Sequence, residues 1–235
     1  MKNTKPAGIL RRLVLTAAAI GMAGLLSGCQ LLPLIGPGAS FDASGYVQSG
    51  LDCLYKAQYD AYCAITDSTE EEAAQAYEEG METESQTFEL YFELTLSDTD
   101  RQKVIDAYKK VYQQADYTVE KAAVKKEEDS TQYLVEVRVR PLLIFDDILT
   151  EYNAFVDEMS GRYSQEDVDA MGEEEYAAYL SQYAQKIASL MESHADTVTY
   201  GEEQSVTVHV QPDSNGIYEI PEEDLQAVDA LIIQY

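Results

Sequence analysis

The chain encodes an α+β protein, with N-terminal helices packed on an antiparallel sheet and a helical insertion between strands. Three features of the pattern carry this. Apolar residues recur three and four apart from Gly45 to Tyr112. The period falls to two between Tyr117 and Arg140. Helical spacing then returns over residues 142–195, before alternation resumes at Ser205.

The first helix is expected from about Gly45 to Ile65, with Val47, Leu51, Leu54, Tyr55, Tyr62 and Ile65 on one face. On such a helix Cys53 and Cys63 lie about 15 Å apart along the axis, beyond the roughly 7 Å between Cα atoms that a disulfide tolerates. Both therefore read as small buried residues, unless the helix breaks near Asp60. Ser68 and Glu71 have capping-box spacing and start a second helix through Ala73, Tyr77, Met81, Phe88 and Phe92, with Gly80 as its weak point. Ser97-Asp98 starts a third, carrying Val104, Ile105, Tyr108, Val111 and Tyr112. Tyr117 to Lys125 is a strand and Glu127 to Ser130 a polar turn. Tyr133 to Arg140 is the clearest strand, closed by Pro141. Within it Val135, Val137 and Val139 alternate with Glu136, Arg138 and Arg140.

In the insertion, helices are expected at Phe145–Met159 and Glu173–Ser193, interrupted by Gly161 and Ser164. Thr197–Tyr200 and Ser205–Val210 are strand-like. Asn215-Gly216 is a hairpin signal, Ile217–Ile220 the returning strand, and Pro221 the first residue of a last helix. Leu225, Val228, Leu231 and Ile232 form that helix's apolar stripe.

Upstream, Lys2, Lys5, Arg11 and Arg12 precede an apolar run from Leu13 to Leu26. The run suits a signal-peptide core and is short for a membrane-spanning helix. It ends in Leu26-Ser27-Gly28-Cys29, which resembles the lipobox of bacterial lipoproteins. The resemblance implies cleavage between Gly28 and Cys29 and a diacylglycerol on Cys29 Sγ. Each buried methylene then contributes about 0.8 kcal/mol to anchoring. The expected organisation is a signal peptide over 1–28, a lipidated tether over 29–44, and one α+β domain over 45–235 with its insertion at about 142–195. The tether is broken by Pro33, Gly36, Pro37, Gly38 and Ser40. It also carries Leu31, Leu32, Leu34 and Ile35, which suit the lipid interface and keep the domain close to the membrane.

From Gly45 onward the pattern is similar to that of uncharacterised lipoproteins of low-GC Gram-positive bacteria. These pair a tyrosine- and glutamate-rich helical part with a sheet and close on a turn, strand and helix, as Asn215-Gly216-Ile217-Tyr218 and Pro221-Glu222-Glu223-Asp224-Leu225 do here. The resemblance implies a cystatin-like or nuclear-transport-factor-like sheet wrapped on helices, and no known activity.

Composition narrows the function. Sixteen Lys+Arg against 43 Asp+Glu give −27, and removal of the four basic residues before Cys29 leaves −31. A nucleic-acid partner needs the opposite sign, and so does docking on anionic lipid through a broad basic face. The two histidines and the cysteines show no zinc spacing. There is no Gly-x-Ser-x-Gly elbow. No cofactor and no metal is expected. Asp213-Ser214-Asn215-Gly216 reads as a turn, its glycine two positions early for a calcium loop. The 18 tyrosines recur at helical spacing, as in Tyr108 and Tyr112 or Tyr176, Tyr179 and Tyr183. That spacing is explained by helix packing, with an aromatic platform for glycan or peptide as the alternative.

The expected protein is non-catalytic, lipid-anchored on the extracytoplasmic face of the cell membrane, and binds a protein or cell-wall partner. The alternatives are a small-ligand-binding lipoprotein serving a transporter and a cell-wall-acting enzyme. Nine of the twelve basic residues after Cys29 fall between Arg101 and Arg140. Arg138 and Arg140 stand on one side of a strand, about 7 Å apart. They are the candidate contact surface, unless the chain's own carboxylates claim them.

Overall fold

Strand Thr131–Arg140 (β3) is the centre of the sheet: it pairs with strands on both edges, and the first and last helices pack on it. The computed structural model describes residues 41–126, 131–213 and 216–235. Expectations at Cys29, in the signal segment, and in the turns at 127–130 and 214–215 lie outside the described residues. Among those described, the order is α1 (Ala43–Lys56), α2 (Asp60–Thr66), α3 (Glu70–Phe92), α4 (Asp98–Tyr112), β1 (Asp116–Val119), β2 (Ala123–Lys126), β3, α5 (Ile144–Arg162), α6 (Gln165–Ala170), α7 (Glu173–His194), β4 (Gln204–Pro212), β5 (Tyr218–Glu219) and α8 (Glu222–Ile232). The fold is α+β.

All pairings within the sheet are antiparallel. β1 lies opposite Val137–Arg140 and β2 opposite Thr131–Leu134, end to end along one edge of β3. The expected strand Tyr117–Lys125 is thus two short pieces. The other edge of β3 pairs with β4, Tyr133 opposite Val210 and Val139 opposite Gln204. β3 and β4 are neighbours although α5 to α7 intervene, so the insertion splits what is topologically a hairpin. Val135, Val137, Val139, Val208 and Val210 are buried on the inner face, while Glu136, Arg140, Ser205 and Thr207 stand exposed on the outer one.

The expected first helix is two. α1 ends at Ala57, whose φ of 52° is left-handed and whose N–H closes on Asp52. α2 then starts at Asp60. The break leaves Cys53 buried and Cys63 half-buried, with no disulfide between them. α3 opens one residue later than Ser68 implies. Thr69 accepts from the Glu72 N–H and Glu72 reaches back to the Thr69 N–H, while Ser68 bonds Thr66 at 2.5 Å. Ser97 caps α4 as expected.

Gly161 does not stop α5, which runs to Arg162. Ser164 caps α6. Thr197–Tyr200 is not a strand. A 3-10 turn covers Ala195–Thr197, and Tyr200 makes a single bridge to Leu142. Pro221 sits one position ahead of α8, as its N-cap.

Residues 41–44, expected in the tether, belong to the packed domain. Asp42 caps α1 through the Gly45 N–H, and Phe41 stacks on Tyr218 at 4.5 Å with the rings 8° from parallel. The C-terminal residues are sewn to the start of the insertion: the Leu142 N–H donates to the Ile232 carbonyl at 2.8 Å and the Gln234 N–H to Leu142 at 3.0 Å.

Candidate functional site

Two carboxyl groups stand inside the helical layer, where a carboxylate is costly. Glu84 lies mid-way along α3 and is 3% exposed. Asp229, a half-buried residue on α8, turns its carboxyl inward to the buried Tyr55, whose hydroxyl donates to it at 3.2 Å. Both come from faces that helical periodicity assigns to the core, Glu84 between Met81 and Phe88 and Asp229 beside Val228. Tyrosine hydroxyls from other elements converge on them. Tyr112 of α4 bonds Glu84. Tyr235 reaches Glu84 at 3.4 Å and meets the Tyr108 hydroxyl at 3.0 Å. Tyr235 keeps 41% of its surface exposed, yet its ring packs on Phe145 and Tyr91 at 4.8 and 4.9 Å. On the flank, Tyr117 donates to Asp52 at 2.6 Å.

The electrostatics follow from this burial. Desolvation raises the Asp229 carboxyl to about 6, moderated by the Tyr55 hydrogen bond. Glu84 is raised well above the usual carboxyl range, first by burial and then by the charge of Asp229, against the hydrogen bonds of Tyr112 and Tyr235. The phenols of Tyr55, Tyr108, Tyr112 and Tyr235 are pushed up by the same burial. Such groups gather at functional sites and also at structural networks. Here Glu84 is covered by the helices around it. The cluster joins α1, α3, α4 and α8, through Tyr55, Glu84, Tyr112 and Asp229.

Two other acids carry a structural load. Asp100 is 3% exposed and accepts from Ser97, Ser181 and Gln185. Burial pushes its carboxyl up, but these bonds and the charge of Lys103 outweigh that and leave it lowered. Asp224, near the start of α8, accepts from the backbone N–H and Nδ1 of His209 at 2.7 and 2.8 Å. It thereby covers backbone on the β4 edge away from β3.

The arginines singled out in the sequence do share the outer sheet face. The chain's own carboxylates meet them there. Arg138 pairs with Glu120 and, at 3.4 Å, with Glu203. Arg140 pairs with Asp116 at 3.1 Å and lies 4.8 Å over the Tyr200 ring. His194 meets Glu151. Among the described residues no three His, Cys, Asp or Glu side chains are grouped to hold a metal. Two concavities among the described residues are an open surface at Gly172 to Glu175 and a small apolar dimple lined by Tyr91, Phe92, Phe145, Ile148, Leu149, Tyr152 and Ile187.

The buried acid pair escaped sequence reasoning because, among 43 acidic residues, nothing local marks it. The usable signal was placement, Glu84 and Asp229 lying on apolar faces.

These features define an α+β domain with a split hairpin and a buried acid-tyrosine cluster. No protein-family profile matches the chain, and no curated protein sequence is similar to it. Its fold is similar to the crystal structure of a proposed lipoprotein, YcdA, from Bacillus subtilis. The TM-score is 0.57 at 11% identity, covering 83% of this chain and 56% of that one. The chain therefore spans little more than half of that protein's length.

Proposed function

We propose that this is a lipid-anchored protein of the extracytoplasmic membrane face that binds a protein or cell-wall partner without catalysis. The observation that carries the reading is Leu26-Ser27-Gly28-Cys29 at the end of an apolar run with a basic start, followed within a short stretch by a folded domain. Two further facts support it. No helix among the described residues is long and apolar enough to cross a membrane. The fold also resembles that of a protein proposed to be a lipoprotein.

The partner surface proposed is the outer sheet face with Arg138 and Arg140. They are 38% and 49% exposed in their side chains. Exposed ion pairs contribute only about 0–1 kcal/mol, so an anionic partner could displace Glu120 or Asp116 at small cost.

The test of anchoring is Cys29→Ala in cells fed a labelled fatty acid. The wild-type chain takes up label and the variant persists as unlabelled precursor. Label on the variant would refute the assignment of Cys29.

A further inference from the structure

We infer that the anchored protein stands on its own membrane with the β2 and β5 end of the sheet against the lipid headgroups, its helical insertion extending from the opposite end. The inference rests on the lipid anchor proposed for Cys29.

The domain's point of attachment is fixed by packing. Phe41 stacks on Tyr218 of β5 and lies 5.6 and 5.8 Å from Tyr133 of β3 and Tyr46 of α1. Asp42 caps α1 immediately afterwards. Tyr133 faces Val210 near the end of β4, and Tyr218 faces Pro212. The chain from the anchor thus enters at the end of the sheet where β3 begins and β4 finishes. The insertion leaves β3 after Arg140 and returns at Gln204, which pairs with Val139. Six residues of strand separate Tyr133 from Val139, about 20 Å. α7 then packs on α4 and α5.

The length of chain leaves little freedom. Cys29 lies twelve residues before Phe41, a reach of about 40 Å if fully extended. Leu31, Leu32, Leu34 and Ile35 fall within it, and the proposal puts these apolar residues in the interface. Only Gly36 to Ser40 then remain to bridge the interface and Phe41, at most about 20 Å.

The end carries an exposed apolar residue and both signs of charge, with Glu127, Glu128 and Asp129 following β2 in sequence. The Ala122 N–H donates to Ser44 Oγ at 2.8 Å, setting the start of β2 beside the first turn of α1. Val124 is 57% exposed, with Lys121 and Lys126 exposed around it. Glu219, Glu222 and Glu223 nearby in sequence to Tyr218 offset those lysines, so a short tether, not net attraction, sets the orientation.

The test uses the lipidated chain with Cys63→Ser, reconstituted in phosphatidylcholine vesicles carrying a headgroup energy acceptor. A donor dye is clicked to an azide-bearing residue at position 124 or, in a second protein, at position 166 of α6. Transfer is expected to be several-fold stronger from 124 than from 166. The difference should collapse when a long Gly/Ser segment, which behaves as a flexible coil, is inserted after Gly38. Equal transfer from both sites, or stronger transfer from 166, overturns the orientation. A chain that cells do not lipidate is coupled to a maleimide lipid through Cys29 and measured the same way. Failure of lipidation in cells would thus remove the anchoring proposal while the orientation is still decided.

Discussion

Asp229→Asn tests the buried cluster most directly. Asparagine keeps an oxygen for the Tyr55 hydroxyl and cannot ionise. In the unfolded chain an aspartate titrates near 3.9. In the fold, burial holds Asp229 at about 6. Its folded pKa is raised, so the native state binds more protons than the unfolded state across that window. The contribution to stability is therefore fully present below about pH 3.9 and is lost as pH rises through 6. At about 1.36 kcal/mol per pKa unit, the loss approaches 3 kcal/mol.

Urea unfolding of wild type and variant at about pH 3.5 and about pH 7.5 measures it by linear extrapolation. The comparison cancels the self-repulsion of a chain carrying −27. The two proteins should agree within a few tenths of a kcal/mol at the lower pH, and the variant should be more stable by about 2–3 kcal/mol at the higher. The variant should also let Glu84 ionise at lower pH, since the charge of Asp229 is the second cause of its raised pKa. Parallel stability curves over that range would refute the buried-acid argument.

Thr69→Ala should cost α3 about 1 kcal/mol in thermal or urea unfolding, and Ser68→Ala distinctly less, because Thr69 is the capping residue. Equal losses would return the cap to Ser68. Replacing Arg138 and Arg140 together by Gln should lower stability by no more than about 1 kcal/mol per pair and reduce salt-sensitive binding to isolated cell wall. Lost stability with unchanged binding would leave them as internal ion pairs.

What could be read from the sequence was whatever periodicity and end signals encode locally. β3 announces itself through Val135, Val137 and Val139, and α4 through Ser97. A break near Asp60 was open as an alternative, but its place at Ala57 was not legible, because an alanine in a left-handed conformation leaves no mark, whereas glycine or proline would have done. Thr69 and Ser68 are adjacent capping residues, and only the Thr66 hydroxyl, which occupies Ser68, decides between them. Tyr200 alternates like a strand residue, but its hydroxyl is drawn to the Gln114 carbonyl at 2.9 Å. The acid cluster joins Tyr55, Glu84, Tyr112 and Asp229, which are far apart in the chain. Arg138 and Arg140 were legible as neighbours on one face, but their partners Glu120, Glu203 and Asp116 were set by the pairing of β1 and the return of the chain into β4.

The split hairpin also dictates an order of assembly. β3 is synthesised before its partner β4, and residues 141–203 must emerge between them. Closing so distant a pair is slow, because loop entropy is lost before the contacts form. The local α5 and α7 pairing has no such delay, and it brings the two ends of the gap together. Until then the valine row of β3 has only β1 and β2 beside it. A chain stalled at that stage would offer an apolar strand edge to other chains, so its aggregation during synthesis or refolding should be governed by how fast the helical insertion forms.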